Sequence, residues 1–328
     1  MKIKLFLSIV FVAISFTAFP QKPEFRVLFE GIGDNREFSR GKSLSQTILG
    51  TRGAFEIGIN ADGHRLRAGL SHLFEFGSVV DSYKPNIILY YQFEDKVKSF
   101  HFGSFPRREL VDFPLAMLTD TLMYYRPNIE GLRGEYRWDR GHQNAFVDWT
   151  GRQRAGVREA FTAAASGEVH FAGFFVQNYL LLNHLAHSKP RGEEEHVNDN
   201  LGYSLFAGWR NNQNAAWKGY LKAGILGSIF RERSVTDGFI HGQSFLTEAF
   251  LKHGNFAAKN TLHTGDGHIF MAGDPFYRLK NYMRTDIIWY FINHKNIKGR
   301  FNLSFHLVEW KDLDQSQQIS IVYQLPGF

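Results

Sequence analysis

The chain has 328 residues, enough for one large β-domain or two ordinary ones, and 16% of them are aromatic. It contains no cysteine, which excludes disulfides, thiolate metal sites and a cysteine nucleophile. Its formal net charge is +6, but the basic residues are scattered rather than clustered in a stripe, so no nucleic-acid partner is expected.

The first twenty residues have the pattern of an export signal. Lys2 and Lys4 give a positive start, and Leu5–Phe19 is an apolar run with only serine and threonine as polar members. We therefore predict a signal peptide at 1–20, then an N-terminal segment at 21–53 that holds a first strand and a loop. No apolar run of about 18 residues remains afterwards, which excludes helical membrane spans.

Alternation of apolar and polar residues recurs along the rest of the chain. In FNLSFHLVEW (301–310), for example, every second residue from Phe301 to Leu307 is apolar, which is typical of a strand between an apolar and a wet environment. The pattern predicts about 16 strands, or 12 to 14 if the short 26–32 and the helix-compatible 154–163 are not strands. They are 26–32, 54–60, 65–76, 87–93, 97–105, 130–138, 143–150, 154–163, 168–179, 200–210, 216–230, 242–252, 256–263, 283–291, 301–310 and 318–325.

The links between these strands alternate between long and short. Long links are expected at 33–53, 77–86, 106–129, 180–199, 231–241 and 264–282, and short ones at 61–64, 94–96, 139–142, 165–167, 211–215 and 253–255. The short link at 151–153 is the exception. Outer-membrane barrels have short periplasmic turns and long external loops, so the rhythm predicts one transmembrane antiparallel barrel over 54–328.

Charged residues on the polar faces of these strands decide between a barrel and a soluble sandwich. A packed core would make such charges costly, whereas a wet lumen tolerates them. Eight basic and five acidic residues give a slightly positive lumen that favours anionic solutes, unless the charges pair and brace the wall. The predicted lumen residues are Arg65, Arg67, Glu75, Arg133, Glu135, Arg137, Asp148, Arg210, Lys222, Arg284, Asp286 and Arg300, together with Glu56.

The six tryptophans agree with a membrane barrel, because each lies at or near a predicted strand end, where an aromatic girdle meets lipid headgroups. They are Trp138, Trp149, Trp209, Trp217, Trp289 and Trp310. Phe328 supplies the terminal aromatic residue that bacterial barrel proteins often carry.

Several segments are similar to a group of porin-like outer-membrane barrel proteins from Bacteroidetes-type bacteria. They are DNREF (34–38), SQTILGTRGAFEIG (45–58), FGSFPRREL (102–110), YYRPNIEG (124–131), DWTGRQ (148–153) and GDPFYR (273–278). The resemblance spans most of the chain after residue 20. It implies the barrel and its location in the outer membrane, and it brings no activity and no residue role.

Three constellations could carry chemistry. His184 and His187 (H-x-x-H), and His263 with Asp266 and His268, have side chains that bind zinc, but polar loops explain both, so no metal and no cofactor are expected. Ser304 and His306 lie two residues apart and could form part of a hydrolase site. The apolar residues of that strand take the lipid side, however, which directs both side chains into the lumen.

The leading functional expectation is a channel that passes small polar solutes, with anions favoured, across the cell outer membrane. The alternatives are an enzyme that modifies lipid or lipopolysaccharide, and a non-conducting barrel that serves as a surface scaffold or as part of an assembly or secretion complex. A non-enzyme is favoured. Membrane lipid and lipopolysaccharide are the expected partners, and a homo-oligomer such as a trimer fits this strand number.

Overall fold

Sixteen antiparallel strands form a closed barrel, which confirms the predicted fold class. The computed structural model describes residues 22–38, 44–78, 84–212 and 214–326, so the predicted signal peptide and Phe328 lie outside the described residues. Each strand pairs with its neighbours in sequence, and β1 closes the barrel on β16, with Phe29 opposite Tyr323. The strands are β1 (Lys22–Glu37), β2 (Gln46–Ala61), β3 (His64–Glu75), β4 (Asn86–Glu94), β5 (Lys98–Pro106), β6 (Asn128–Trp138), β7 (Gly141–Gly151), β8 (Ala160–Phe171), β9 (Phe174–Leu185), β10 (Asn198–Arg210), β11 (Trp217–Glu232), β12 (Ile240–His253), β13 (Phe256–Gly265), β14 (Asn281–Asn293), β15 (Ile297–Val308) and β16 (Asp312–Pro326).

The outer face of the barrel is a band of exposed apolar side chains. Because successive residues of a strand point to opposite faces, one residue in two along each strand joins this band. Such a surface is suited to hydrocarbon, and barrel closure leaves no strand edge with unpaired backbone groups. No helix of the described residues is long and apolar enough to cross a membrane. Members of the band include Phe55, Leu70, Ile87, Leu89, Phe102, Leu132, Val176, Leu180, Leu205, Leu221, Ile225, Phe245, Leu251 and Ile287.

The two ends of the barrel differ as the loop rhythm predicts. Short links lie at one end, here called the turn end, and the longer links lie at the other, the loop end, which also holds the three-residue link 309–311 between β15 and β16. In the turn from β2 to β3, Asp62 and Gly63 have φ of 50° and 86°, and in the turn from β8 to β9, Ala172 and Gly173 have 48° and 88°. Positive φ at both central residues matches the right-handed twist of hairpin strands.

Two predicted strands and three predicted links have wrong boundaries. The strands expected at 154–163 and 168–179 are Ala160–Phe171 and Phe174–Leu185, so the short link predicted at 165–167 lies at 172–173 instead. The link after β7 therefore spans 152–159 and does not break the rhythm. The long link expected at 33–53 covers only 38–45, because β1 and β2 extend well beyond 26–32 and 54–60.

Two long loops fold back into the loop-end half of the barrel and fill it. They are the 107–127 loop, which contains the short helix α1 (Leu122–Tyr125), and the 266–280 loop, which contains the 3-10 turn Pro275–Arg278. They bond to each other, since the Thr119 amide donates to the Ala272 carbonyl at 2.8 Å and the Asp274 amide donates to the Leu115 carbonyl at 2.9 Å. Together these loops are called the plug.

Apolar contacts hold the plug to the inner wall. Met117 of the first loop and Phe270 and Phe276 of the second are almost completely buried. They belong to one cluster with inward side chains of the strands, including Phe146, Leu181, Phe206, Leu226 and Tyr282. The plug therefore fills the loop-end half of the lumen with packed side chains, many of them apolar.

Candidate functional site

One polar and aromatic cluster interrupts the apolar outer face at the loop end of β7–β10. It consists of Trp149, Phe161, His184 and Asp199, with Arg233 from the link after β11, and is called the rim cluster. Trp149 is exposed, as expected of a side chain in an aromatic girdle at the edge of the hydrocarbon layer. The cluster therefore lies where lipid headgroups meet the barrel.

Strand register brings the cluster together. His184 is directly opposite Phe161 on β8 and directly opposite Asp199 on β10. On β9 it has the same parity as the exposed Val176, Leu180 and Leu182, so its side chain stands on the lipid-facing surface. Directly opposite residues on antiparallel strands have adjacent side chains, which makes the histidine and the carboxylate neighbours.

The histidine is oriented by the carboxylate, and the carboxylate by an arginine. His184 Nδ1 lies 2.8 Å from Asp199 Oδ1, and Arg233 Nε donates to Asp199 Oδ2 at 2.8 Å. A carboxylate can only accept, so Nδ1 carries the hydrogen of this bond, and in the neutral imidazole the lone pair is on Nε2. The His184 ring packs on Phe161 at 5.2 Å between centroids, and Phe161 stacks on Trp149 at 5.5 Å.

This arrangement can act as a general base. A histidine whose Nδ1 hydrogen is held by a carboxylate can take a proton at Nε2. Among the described residues, no serine or threonine hydroxyl and no lysine amine bonds to His184, so the nucleophile that fits is a water molecule. Both side chains of the pair are 23% exposed, which leaves them reachable from the membrane surface.

A basic edge borders the rim cluster. The guanidinium of Arg231 lies over the Phe239 ring at 5.2 Å, and Arg233 is 55% exposed beyond its bond to Asp199. Guanidinium groups recognise phosphate oxygens, often two at a time. An anionic headgroup is therefore the kind of ligand that this edge suits.

The predicted lumen residues are distributed over several ion-pair networks and do not form one site. Near the turn end, Arg65 lies 3.0 Å from Glu94, and Arg67 lies 2.7 Å from Glu24. Glu75 is the last residue of β3, at the opposite end of that strand.

A second network lies around β6 and β7. Glu135 accepts from both Arg133 and Arg137, the latter at 2.7 Å. Asp148 is buried and bonds to Arg107 of the plug, a partner that strand periodicity did not identify.

Glu56 is buried and accepts from the Tyr90 hydroxyl at 3.0 Å. The other five predicted lumen residues border a cavity of about 400 Å³. Arg210 bonds to Glu168, Lys222 lies 3.3 Å from Glu248, and the buried Arg284 donates to Asp286 at 2.8 Å. Arg300 also lines this cavity, and no hydrogen bond or ion pair engages it within the described part of the chain. Most of these charges therefore pair and brace the wall, the alternative that the sequence left open.

Ser304, His306 and His268 of the predicted constellations have hydrogen-bond partners, whereas neither ring nitrogen of the buried His263 has one within the described part of the chain. Ser304 and His306 are buried inside the barrel, where Ser304 donates to Asp286 at 2.6 Å and His306 bonds to Tyr282 at 2.7 Å. His268 lies between Ser228 and Ser244, at 2.9 and 2.7 Å, and burial lowers its pKa to about 4. No group of three or more metal-binding side chains is found in the described ranges.

Sequence reasoning missed the pairing of His184 with Asp199. It placed both residues in one long link at 180–199, because β9 was expected to end at residue 179. The signal was present in FFVQNYLLLNHL (174–185), where Phe174, Val176, Leu180, Leu182 and His184 share one parity.

Comparison with known proteins gives a family and a fold. A family model described as lipid A 3'-O-deacylase-type matches residues 21–325. No curated protein sequence matches the chain.

Among solved structures, the barrel is similar to outer-membrane proteins of three bacteria. A loop L8 deletion mutant of OmpT from Vibrio cholerae has a TM-score of 0.56 at 9% identity, covering 93% of this chain and 99% of that one. OmpF of Salmonella typhi, solved with daunomycin, has a TM-score of 0.53 at 13% identity, with 92% and 97% covered. OpdK of Pseudomonas aeruginosa, solved with vanillate, has 0.53 at 10% identity, with 93% and 99% covered. These similarities support the barrel fold.

Proposed function

The chain belongs to the lipid A 3'-O-deacylase-type family, and we propose that it is an outer-membrane hydrolase that cleaves an acyl ester of lipid A at the rim cluster. The observation that carries the proposal is the His184–Asp199 pair on the lipid-facing surface. Barrels of this class carry their long loops outside the cell, so the loop end is the external end. The rim cluster then lies at the level of the outer leaflet, where lipid A is found.

The surroundings of the pair suit an acylated, phosphorylated substrate. Leu180 and Leu182 continue the lipid-facing side of β9 from His184 toward the middle of the membrane, where acyl chains would lie. Arg231 and Arg233 lie on the other side, where they can bind headgroup phosphates. An ester between sugar and acyl chain would thus be positioned near His184.

Ester hydrolysis at this site needs one water molecule and one base. His184 Nε2 takes a proton from the water while the water oxygen bonds to the ester carbonyl carbon, and Asp199 stabilises the resulting imidazolium. When the carbon–oxygen bond to the sugar breaks, His184 returns the proton to the sugar oxygen. The products are a free fatty acid and a lipid with one more hydroxyl group.

The filled lumen supports the enzyme over the channel that the sequence favoured. A diffusion channel requires a continuous aqueous path, whereas the plug occupies the loop-end half with apolar side chains. Solute diffusion therefore stays a prediction, and a planar bilayer tests it. On the present proposal, purified protein gives no stepwise conductance.

The enzymatic proposal is tested by the lipid A of cells that express the protein. Mass spectrometry should detect lipid A lacking one acyl chain with the native chain, and unmodified lipid A with His184→Gln. Removal of a general base typically lowers a rate by about 10²- to 10⁴-fold. His187→Gln is the matched control, because His187 lies in the adjacent loop and outside the rim cluster. Unmodified lipid A with the folded native protein, or equal activity of both variants, contradicts the proposal.

A further inference from the structure

A separate cavity of about 310 Å³ lies inside the barrel near the turn end, far along the wall from the rim cluster. It is enclosed by β16, β1, β3, β4 and β5 and by the start of the 107–127 loop. We propose that it binds a small phosphate-bearing solute that enters from the periplasm. The side chains that carry the argument are Arg26, Arg65, Arg67, His101 and Arg108, and all five line the cavity.

Two of the four guanidinium groups, those of Arg65 and Arg67, are only partly used by their carboxylate partners, whereas Arg108 bonds to Glu30. Arg65 and Arg67 each have one short bond, to Glu94 at 3.0 Å and to Glu24 at 2.7 Å. Their other ion pairs are longer: Arg65 to Glu24 is 3.7 Å, and Arg67 to Glu56 is 3.9 Å. Distances of this length are too great for hydrogen bonds.

Donors therefore remain unmatched in a confined space. The Nε atoms of Arg65 and Arg67 are buried and have no hydrogen-bond partner. Arg26 lies 3.7 Å from Glu56 and donates to the side-chain oxygen of Gln324, another lining residue, at 3.0 Å. Buried donors without partners are costly, and a ligand with several acceptor oxygens would satisfy them.

A buried histidine gives independent support for a ligand. His101 is only 5% exposed, lines the cavity and has no partner for its Nδ1 atom. Its ring is fixed between Tyr90 and Phe105, with centroids at 6.2 and 5.1 Å. An unmatched polar atom on a fixed ring is suited to a hydrogen bond from or to a bound molecule.

The plug determines the route of entry. Phe105, Pro106, Arg108 and Leu110 line the cavity from the loop side. Arg65 is the second residue of β3 and Gln92 is close to the end of β4, so the opposite side of the cavity faces the periplasmic turns. The barrel wall is continuous here, so a lipid headgroup has no lateral entry, and the expected ligand is a soluble phosphate ester.

Phosphate is favoured because of the number of donors. Each guanidinium can offer two parallel N–H groups to one oxyanion, and a phosphate group presents three or more acceptor oxygens to the four arginines. Glu109 is the one carboxylate among the residues that line the cavity, while Glu24, Glu30, Glu56 and Glu94 contact the arginines from outside the lining. The surface that a solute meets is therefore predominantly cationic.

Calorimetric titration of the full-length protein in detergent tests this proposal at low salt. Inorganic phosphate and glucose 1-phosphate are the probes, and glucose is the neutral control. Saturable binding of both phosphates and no binding of glucose is expected. Absence of saturable binding up to about 10 mM phosphate overturns the proposal, because binding weaker than that does not require a specific site.

Two variants locate the site. Arg65→Gln/Arg67→Gln should weaken phosphate binding by about tenfold or more, whereas Arg300→Gln, in the 400 Å³ cavity, should leave it unchanged. Equal weakening by both variants would assign binding to the general charge of the lumen and overturn the proposal. If the double variant fails to fold, His101→Phe is tested instead and should weaken phosphate binding by about threefold. Unchanged phosphate binding in His101→Phe overturns the proposal. His184→Gln should bind phosphate normally, which separates this test from that of the proposed hydrolase.

Discussion

Asn200 fastens the plug to the barrel wall, and its removal should loosen the 266–280 loop. The side chain is fully buried on β10. Its Nδ2 donates to the Ile269 carbonyl at 2.6 Å, and its Oδ1 accepts from the Met271 amide at 3.1 Å. Asn200→Ala removes both bonds. At about 1 kcal/mol for each bond, the free energy of loop opening falls by about 2 kcal/mol, which raises the opened fraction about 30-fold.

Hydrogen exchange measured by mass spectrometry checks this magnitude. Under conditions where the loop recloses faster than its amides exchange, peptides from 266–280 should exchange about 30-fold faster in Asn200→Ala than in the native protein. Asn260→Ala is the matched control, because Asn260 donates to Thr285 at 2.8 Å on the lipid-facing side and does not contact the plug. Unchanged exchange in Asn200→Ala, or equal acceleration in both variants, would refute the reasoning.

Three further predictions concern the rim cluster, a buried ion pair and the plug. Asp199→Asn should slow fatty-acid release from lipid A about 10³-fold, since an amide can hold His184 in the wrong tautomer; initial rates in mixed micelles measure this. Asp286→Ala should destabilise the barrel by about 3–5 kcal/mol because it leaves the buried Arg284 charge without its partner, and Arg284→Met/Asp286→Leu should restore much of the loss in thermal unfolding. Burial holds the pKa of His268 at about 4 against an ordinary value of 6.5, so a released loop takes up a proton that the docked loop does not. The equilibrium constant for loop docking should fall by up to tenfold per pH unit as the pH falls from about 6.5 to about 4. Hydrogen exchange measures this, and His268→Gln should abolish most of the pH dependence.

The barrel was predictable from sequence because every strand contacts two different environments. Period-two alternation and the unequal links gave sixteen strands and the orientation of the two ends. The error at 154–179 has a physical reason: FTAAASGEVHF in β8 contains small residues that contrast weakly with polar ones. The two-residue turn Ala172–Gly173 was therefore missed in favour of the glycine at 167, which lies within β8.

The contents of the lumen were less predictable. Alternation shows which residues of a strand belong to the apolar outer face. It does not show which loop residues from another part of the chain fill the lumen. Met117 and Phe270 are 153 residues apart by their numbering and lie in one cluster only because both loops fold inward. The rim cluster was missed for a related reason. The prediction ended β9 too early and placed His184 in a loop, so no strand register indicated its pairing with Asp199.

A filled barrel suits a function on the outer wall. A barrel of sixteen strands is wide enough to leave an aqueous channel when nothing occupies it. A pore that selects solutes by lumen charge does not need a plug that packs against its inner wall. A lipid-facing histidine and carboxylate on adjacent strands, in contrast, must keep a fixed separation while the membrane around them moves. Asn200 follows Asp199 in β10 and points inward, where it bonds to the plug. The plug thus restrains β10, the strand that carries Asp199. A rigid lumen therefore helps to keep the exposed histidine and carboxylate at a fixed separation.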